Sequence, residues 1–548
     1  MVGKMVGNAG ISFRRYHSRK RRFALERTSV LFRHGDRTPT FNCMEPNVIA
    51  AAQEAAAWAK TLPTQKFQDM LNRLFPVLTK HNLTRDERMG IFGSLTQLGV
   101  FQCFRLGRVL AGRYYRLGLL KPRELPGDRV QVFSSNFKRT QQSAQSVLLG
   151  LFPRKGQHHG QEMVPVVVPE NDEVLNIWGR CEELNKLIGE FVNTNPIFKE
   201  IGKLPKVVNT KDVLCSTIPV YRNFLRDFKW SQVVDHFHCR GARASSRYCF
   251  GKNYHPDKEL ETLIGSEVDT SKPEKVEVVE PPLDGVAAFT DTDKVKEMFH
   301  NLNDSDSLST EELKQLLGVL GVAAPSSKDV NTFLDALDLD GDGQVDLEEF
   351  ARFMVSSTTA HDEYGDTQRL TNWHQHAYIA EQVLCWQFDR MFSQPDILYY
   401  ANRGVLKMMI DPLVAKHESG PVITLLGGHD VTVMPLLYAL GRWQNRFKTD
   451  EDLANWAGYV CSLAFEIYRD TDSTKSDLFM KVLDYHGVKT PLENKEQEWD
   501  CPPSNVALKA IDLSHISKDC VIDEDGDCLV PLADFTKWLS SELTSESL

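Results

Sequence analysis

Three short apolar runs, far apart in the chain, each break off into polar residues that include arginine or histidine. Ser29-Val30-Leu31-Phe32 leads into Arg33-His34-Gly35. Val130-Gln131-Val132-Phe133 leads into Ser134-Ser135-Asn136, with Arg139 just beyond. Val422-Ile423-Thr424-Leu425-Leu426 leads into Gly427-Gly428-His429-Asp430. Runs of β-branched and aromatic residues bounded this way read as strands. Helical spacing follows over 140–151 and 433–440, and two more strands are expected over 462–468 and 479–485. Repeated strand–loop–helix units imply an α/β sheet, whose ligands bind beyond the carboxyl ends of its strands. Three such ends carrying Arg and His are expected to converge on one anion.

The stretch Arg33-His34-Gly35-Asp36-Arg37-Thr38-Pro39 is the most informative. Two arginines flank a histidine at a strand end, and Gly and Pro fix a tight loop. Guanidinium forks match phosphate oxygens and keep their charge at any physiological pH. A histidine among them can attack phosphorus and form a covalent phosphohistidine. The plain alternative is a salt-bridge cluster around a satisfied histidine, which the Arg-His-Gly-x-Arg spacing disfavours.

With Gly428-His429-Asp430, this motif resembles the histidine acid phosphatases, the second branch of the histidine phosphatase superfamily. Leu95-Thr96-Gln97-Leu98-Gly99 is similar to that family's LTxxG helix start. Arg139-Thr140, with Ser143-Ala144 after it, resembles the segment that supplies a third phosphate-binding arginine. The resemblance covers residues 28–260 and 362–540. Within the family, His429-Asp430-Val431-Thr432, Pro435-Leu436-Leu437 and Tyr485-His486-Gly487 look most similar to the lysophosphatidic acid phosphatases.

The resemblance implies a phosphoglycerate-mutase-like α/β sandwich with a central, mainly parallel sheet and a helical cap. It implies an acid phosphatase with His34 as nucleophile. Arg33, Arg37, Arg139 and His429 would hold the phosphoryl oxygens, and Asp430 would protonate the leaving alcohol. The implied partner is a small phosphorylated substrate, lysophosphatidic acid or a similar monoester, with no cofactor for catalysis. An inositol phosphate substrate and a non-catalytic calcium-binding protein on this fold are the alternatives. Lys138 stands where the family often has an acidic residue before the third arginine, so the charge balance there needs another source.

The formal net charge of −10 is concentrated in one place. Residues 291–349 hold 15 Asp/Glu and 4 Lys/Arg, a local charge of −11, which leaves +1 elsewhere. That near-neutral remainder gives no reason to expect nucleic-acid binding. Within the acidic segment, Asp338, Asp340, Asp342, Gln344, Asp346 and Glu349 occupy positions 1, 3, 5, 7, 9 and 12 of an EF-hand calcium loop, with Gly343 at the turn. A poorer loop precedes it, with Asn301, Asn303, Ser305, Ser307, Ser309 and Glu312 at the same positions and Asp306 in place of glycine. The expected cofactor is therefore Ca²⁺, bound by an α-helical EF-hand pair inserted into the phosphatase. The third acidic run, Asp523 to Asp527, has Cys528 where glycine is needed and reads as a plain acidic turn. His236, His238 and Cys239 lack a second ligand pair nearby and read as part of a helical cap.

The expected layout is a basic extension over 1–27, α/β core over 28–155, cap over 156–266 and linker over 267–285. The EF-hand pair follows over 286–358, and the second part of the core over 359–545. The extension has seven Lys/Arg and no acidic residue up to residue 25, which fits a transit peptide, a nuclear import signal or a solvated tail. It lacks a secretory h-region, so a mitochondrial or cytoplasmic location is expected. No run of 18 apolar residues suggests a transmembrane helix. Eleven cysteines leave at least one unpaired within the chain, and Cys501, Cys520 and Cys528 cluster toward its end. Nothing in the sequence bears on the oligomeric state.

Overall fold

The computed structural model describes residues 23–43, 47–120, 129–152, 164–218, 220–221, 228–239, 299, 307–319, 326–338, 343–351, 373–415, 420–441, 456–472, 477–485 and 508–542. Within them run strands β1 (Phe23–Arg33), β2 (Val77–Leu78), β3 (Val130–Ser134), β4 (Val166–Val167), β5 (Ser307–Leu308) and β6 (Val345–Asp346). Then come β7 (Ile423–Gly428), β8 (Ser462–Asp470), β9 (Leu478–Tyr485), β10 (Lys509–Ala510), β11 (Val521–Ile522) and β12 (Cys528–Pro531). Ten strands form one sheet in the order β11-β12-β9-β8-β1-β7-β3-β4-β2, with β10 beside β9. From β1 through β7, β3 and β4 to β2 the pairing is parallel, and from β8 outward it is antiparallel.

The register decides where the site lies. Arg33 pairs with Gly428 and Ser134 with Gly427. The three polar loops foreseen from the sequence thus leave one edge of the parallel sheet side by side.

Neighbouring residues on a strand face opposite sides, and each side of this sheet has its own core. Leu31 and Leu426 belong to the core covered by helices Trp373–Phe392, Pro395–Val414 and Asp430–Ala439. Val30, Phe32 and Leu425 belong to the other, covered by helices Gln97–Arg116 and Lys138–Leu151. Burial on both faces explains why β7 reads as a continuous apolar run. The result is the expected α/β sandwich. Helices Gln97–Arg116 and Lys138–Leu151 approach at Gly107 and Gly150. A Cβ on Gly107 would lie 2.1 Å from the Val147 carbonyl oxygen, and one on Gly150 would lie 2.0 Å from that of Phe104.

Several expected boundaries shift. β1 starts at Phe23, inside the stretch read as an extension, while residues 1–22 lie outside the described residues. The helices expected from residues 140 and 433 start at Lys138 and Asp430, so Arg139 and Asp430 sit in first turns. In the cap region, helices Glu182–Thr194, Ile197–Ile201, Pro205–Thr217 and 230–239 are described. The linker over 267–285, Cys501, and His486-Gly487 lie outside the described residues.

Helices Thr310–Val319 and Ser327–Leu337, with β5 paired to β6, form the described part of the EF-hand pair. Its apolar core is shared. Leu308, Leu313, Phe333 and Phe350 pack in one cluster with Ala51, Ala55 and Trp58 of helix Val48–Ala59, with Ile91 and Phe92, and with Cys239.

Two weaker sequence signals resolve. His236 meets Cys43, His238 faces Glu381 Oε2 at 3.3 Å, and Cys239 lies 3.4 Å from the Tyr459 hydroxyl. They serve three separate contacts. In the third acidic run, Lys481 Nζ lies 2.7 Å from Asp523 Oδ2 and also pairs with Asp527. The carboxylates thus already face an ammonium from β9.

Gly150→Val should force Gln97–Arg116 and Lys138–Leu151 apart. Its expected cost is about 1–3 kcal/mol of stability, read as a lower urea midpoint with an unchanged slope.

Candidate active site

Arg33 ends β1 and His34 follows it. Arg33 is 2% exposed, His34 2%, His429 4%, Arg37 7% and Arg139 7%. Five basic side chains this buried need fixed partners. Arg33 Nη2 lies 3.0 Å from Asp430 Oδ2, and its Nη1 donates to the Ala457 carbonyl. Its guanidinium sits 4.5 Å over the Tyr459 ring. Arg37 pairs with Asp235, whose other oxygen accepts from the Thr40 N–H and hydroxyl. Arg139 Nη1 lies 3.5 Å from Asp86 Oδ2, and its guanidinium stacks 4.4 Å over Phe137. Asp86 also accepts the Lys138 N–H at 2.9 Å. The carboxylate missing beside Arg139 in sequence is thus supplied by Asp86, from a distant loop.

Each arginine nevertheless keeps unused donors. Among the described residues, Nε of Arg33, Nε of Arg37, and Nε and Nη1 of Arg139 have no hydrogen-bond acceptor. Buried donors without acceptors cost roughly 1–3 kcal/mol each. An oxyanion among the three would satisfy them.

The imidazoles lie between these groups. Their ring centroids are 5.4 Å apart at 75°. His34 Nδ1 is 2.8 Å from the Gly35 carbonyl oxygen. A carbonyl only accepts, so Nδ1 carries the proton, and in the neutral ring Nε2 keeps its lone pair. Burial, with Arg139, Arg33 and Arg37 nearby, holds the His34 pKa well below its usual value. Burial and Arg139 do the same for His429, whose Nε2 is 2.9 Å from Ser135 Oγ. Burial also lowers Arg139 to about 10 and raises Asp36 to about 7.

Asp430 differs from the rest in being partly open, with its side chain 20% exposed. Its Oδ1 accepts the Val431 N–H at 2.8 Å, and its Oδ2 accepts the Trp456 indole N–H at 2.8 Å. Burial opposes its ionisation, but Arg33 and the Trp456 N–H outweigh burial and lower its pKa.

The scaffold is tight where the motif is tight. A Cβ on Gly35 would lie 2.3 Å from the Gly99 carbonyl oxygen, and one on Gly99 would lie 2.1 Å from that of Asp36. The loop after β1 and the start of helix Gln97–Arg116 therefore touch backbone to backbone, the physical reason for glycine at both places. Thr96 caps that helix through Gly99 N–H and also donates to Asp36 Oδ2 at 2.6 Å. Opposite, Val460 holds φ at 54°, a left-handed conformation rare for a β-branched residue. Its N–H donates to the His34 carbonyl at 3.3 Å.

All six residues expected at the site, Arg33, His34, Arg37, Arg139, His429 and Asp430, thus lie within one connected cluster. Sequence reading missed Asp86, Asp235, Ser135, Trp456 and Tyr459. Asp86 and Asp235 answer the question of what neutralises buried arginines, but nothing in the sequence picks them out among 74 acidic residues.

At the calcium loop, Asp338 caps helix Ser327–Leu337, and its Oδ2 accepts the Gly343 N–H at 2.9 Å. Gly343 has φ +81°, as the sharp turn requires. Asp346 and Glu349 exchange backbone-to-carboxylate hydrogen bonds. This oxygen-rich donor set suits a hard divalent cation. Asp340 and Asp342 lie outside the described residues, as do Asn301, Asn303 and Ser305 of the first loop.

Residues 24–200 match the model of the histidine phosphatase superfamily (branch 2), and residues 304–357 match that of the EF-hand domain pair. Solved structures similar to the chain include Hafnia alvei phytase in its apo form, at 13% identity and TM-score 0.42, over 95% of this chain and 97% of that one. Klebsiella sp. ASR1 phytase matches at 15% and 0.41, over 95% and 96%. Bifidobacterium longum multiple inositol polyphosphate phosphatase with inositol hexasulfate matches at 13% and 0.45, over 97% and 94%. Comparison with curated proteins returns no match.

Inorganic phosphate should raise the melting temperature, because it satisfies donors that only the folded state assembles. At 100 times its Kd the gain is about 2.7 kcal/mol. Arg37→Ala should remove most of that shift in differential scanning fluorimetry.

Proposed function

We propose that this chain, a member of the histidine phosphatase superfamily (branch 2) through residues 24–200, hydrolyses small phosphate monoesters through a phosphohistidine. One observation carries the reading: a neutral, oriented His34 lies near three buried arginines that keep donors without acceptors. Arg33, Arg37, Arg139 and His429 bind the phosphoryl oxygens and neutralise the charge that builds up on them. His34 Nε2 forms a bond to phosphorus as the P–O ester bond breaks, and the leaving alkoxide takes a proton from Asp430. Water then attacks the phosphohistidine and gives its proton to the Asp430 carboxylate. Phosphate leaves and His34 is restored.

Asp430 must be protonated for the first step. In the free site Arg33 keeps it ionised. A phosphate that engages Arg33 withdraws that support and adds negative charge, and both changes raise the affinity of Asp430 for a proton. The His34 shift works in the same pH direction. A depressed imidazole pKa leaves the nucleophile neutral far into acid, and its activity is lost only as pH falls through that lowered value. The two groups together fit an acid phosphatase. By resemblance alone, through the motif around His429 and Pro435, lysophosphatidic acid is the favoured substrate and an inositol phosphate the runner-up.

Calcium is proposed to bind at Asp338, Asp340, Asp342, Gln344, Asp346 and Glu349 and to act on the site through the shared core. Ile91 lies in that core, and its carbonyl accepts the Thr38 hydroxyl at 2.7 Å. Cys239 lies there too, 3.7 Å from Arg37 Nη1. A shift of the EF-hand helices would therefore reach the loop that carries Arg37.

His34→Ala should abolish p-nitrophenyl phosphate turnover and the acid-labile phosphoenzyme seen on rapid quench; unchanged turnover would favour a non-catalytic calcium-binding protein. Asp430→Asn should slow alkyl phosphates at least 10²-fold and p-nitrophenyl phosphate less, since a good leaving group needs no proton and only the water step then loses its base. Calcium should change the turnover rate and slow amide hydrogen exchange in helix Val48–Ala59, and Glu349→Gln should remove both effects. Wild-type behaviour identical in calcium and chelator would make the insert a structural element.

A further inference from the structure

Asp430 has two tasks, and its carboxylate must point the same way for both. Its Oδ2 takes two side-chain donors, Arg33 Nη2 at 3.0 Å and Trp456 Nε1 at 2.8 Å. Once a phosphate competes for Arg33, the indole is the one uncharged side-chain donor left on that oxygen among the described residues. The charged groups around Asp430 are Arg33, Arg37, Arg139 and, when protonated, His429. All four are themselves phosphate-facing, and Trp456 is not.

Trp456 is held from several sides. It is 7% exposed. Its backbone N–H donates to Glu381 Oε1 at 2.6 Å, and Glu381 faces His238 on the helix that supplies Asp235. Its ring meets Phe388 edge-on at 4.9 Å and 86°. The next residue, Ala457, accepts from Arg33. A side chain fixed this firmly can fix another.

We propose that Trp456 is the positioning residue for Asp430: its indole N–H holds Oδ2 while Arg33 turns to the phosphate, and so sets the direction and strength of the acid. This inference rests on the phosphohistidine reading. An N–H donor favours the ionised carboxylate over the acid. Removing it makes Asp430 keep its proton to higher pH, so the alkaline limb of kcat moves up.

Trp456→Phe retains the ring against Phe388 and loses only the donor. For an alkyl phosphate, the alkaline limb of its kcat–pH profile should move up by roughly one unit, the size expected for a hydrogen bond to a charged group. The p-nitrophenyl phosphate rate should fall less than the alkyl phosphate rate, because only the water step then depends on Asp430. Adding Trp456→Phe to Asp430→Asn should cause no further loss. A limb at the wild-type pH with an equal fall for both substrates would overturn the proposal, as would a full additional loss in the Asp430→Asn background. If Trp456→Phe fails to fold, benzothienylalanine at 456, which keeps the bicyclic shape without the N–H, gives the same readouts. His34→Ala is measured alongside: activity in that variant would sink the phosphohistidine reading itself, whereas an inactive His34→Ala with an unmoved Trp456→Phe limb would sink only this inference.

Discussion

Three guanidinium groups, nearly all shielded from water, repel one another strongly, and with burial they keep the two imidazoles between them neutral. Desolvating a charge is costly unless it is paired and hydrogen-bonded. Here the pairing is partial. Asp430, Asp235 and Asp86 each take one arginine, and Tyr459 and Phe137 present ring faces to two of them. Several guanidinium donors are left without an acceptor among the described residues. Much of the architecture serves to hold this arrangement: the backbone contact of Gly35 with Gly99, the left-handed turn at Val460, and the parallel register that aligns three strand ends.

The core of this design was legible in the sequence because local signals and global topology agree there. Apolar runs over 29–32, 130–133 and 422–426 mark strands, and each is followed within six residues by a candidate site residue. The strand-end pattern pointed to Arg33, His34, Arg139 and His429, and the family resemblance implied their roles. The neutralising carboxylates were not legible for the opposite reason. Asp86 follows β2 and Asp235 lies on a cap helix, and only tertiary structure brings them to Arg139 and Arg37. Trp456 shares that fate, since it stands ahead of β8 with no pattern around it. Helix starts at Lys138 and Asp430 were placed too late, because polar first turns that build a site hide the onset of apolar periodicity.

The EF-hand pair is an insertion in sequence but not an appendage in space. Its Leu313, Phe333 and Phe350 share a core with Trp58, and Ile91 and Phe92 of that core flank the segment bonded to Thr38. Packed interiors transmit displacement because they cannot absorb it. A shift of helices Thr310–Val319 and Ser327–Leu337 would thus have a continuous solid path to the loop that carries Arg37.

The acidic turn at Asp523 to Asp527 meets the same electrostatic demand in another way. Lys481, 2% exposed, reaches from the middle of β9 to two of its carboxylates. A tethered ammonium cannot diffuse off, be stripped by a chelator or respond to changes in ion concentration. The carboxyl-terminal edge of the sheet is therefore pinned to β9 by the chain's own cation. The inserted pair, in contrast, offers oxygen donors around Gly343 that accept from backbone N–H groups.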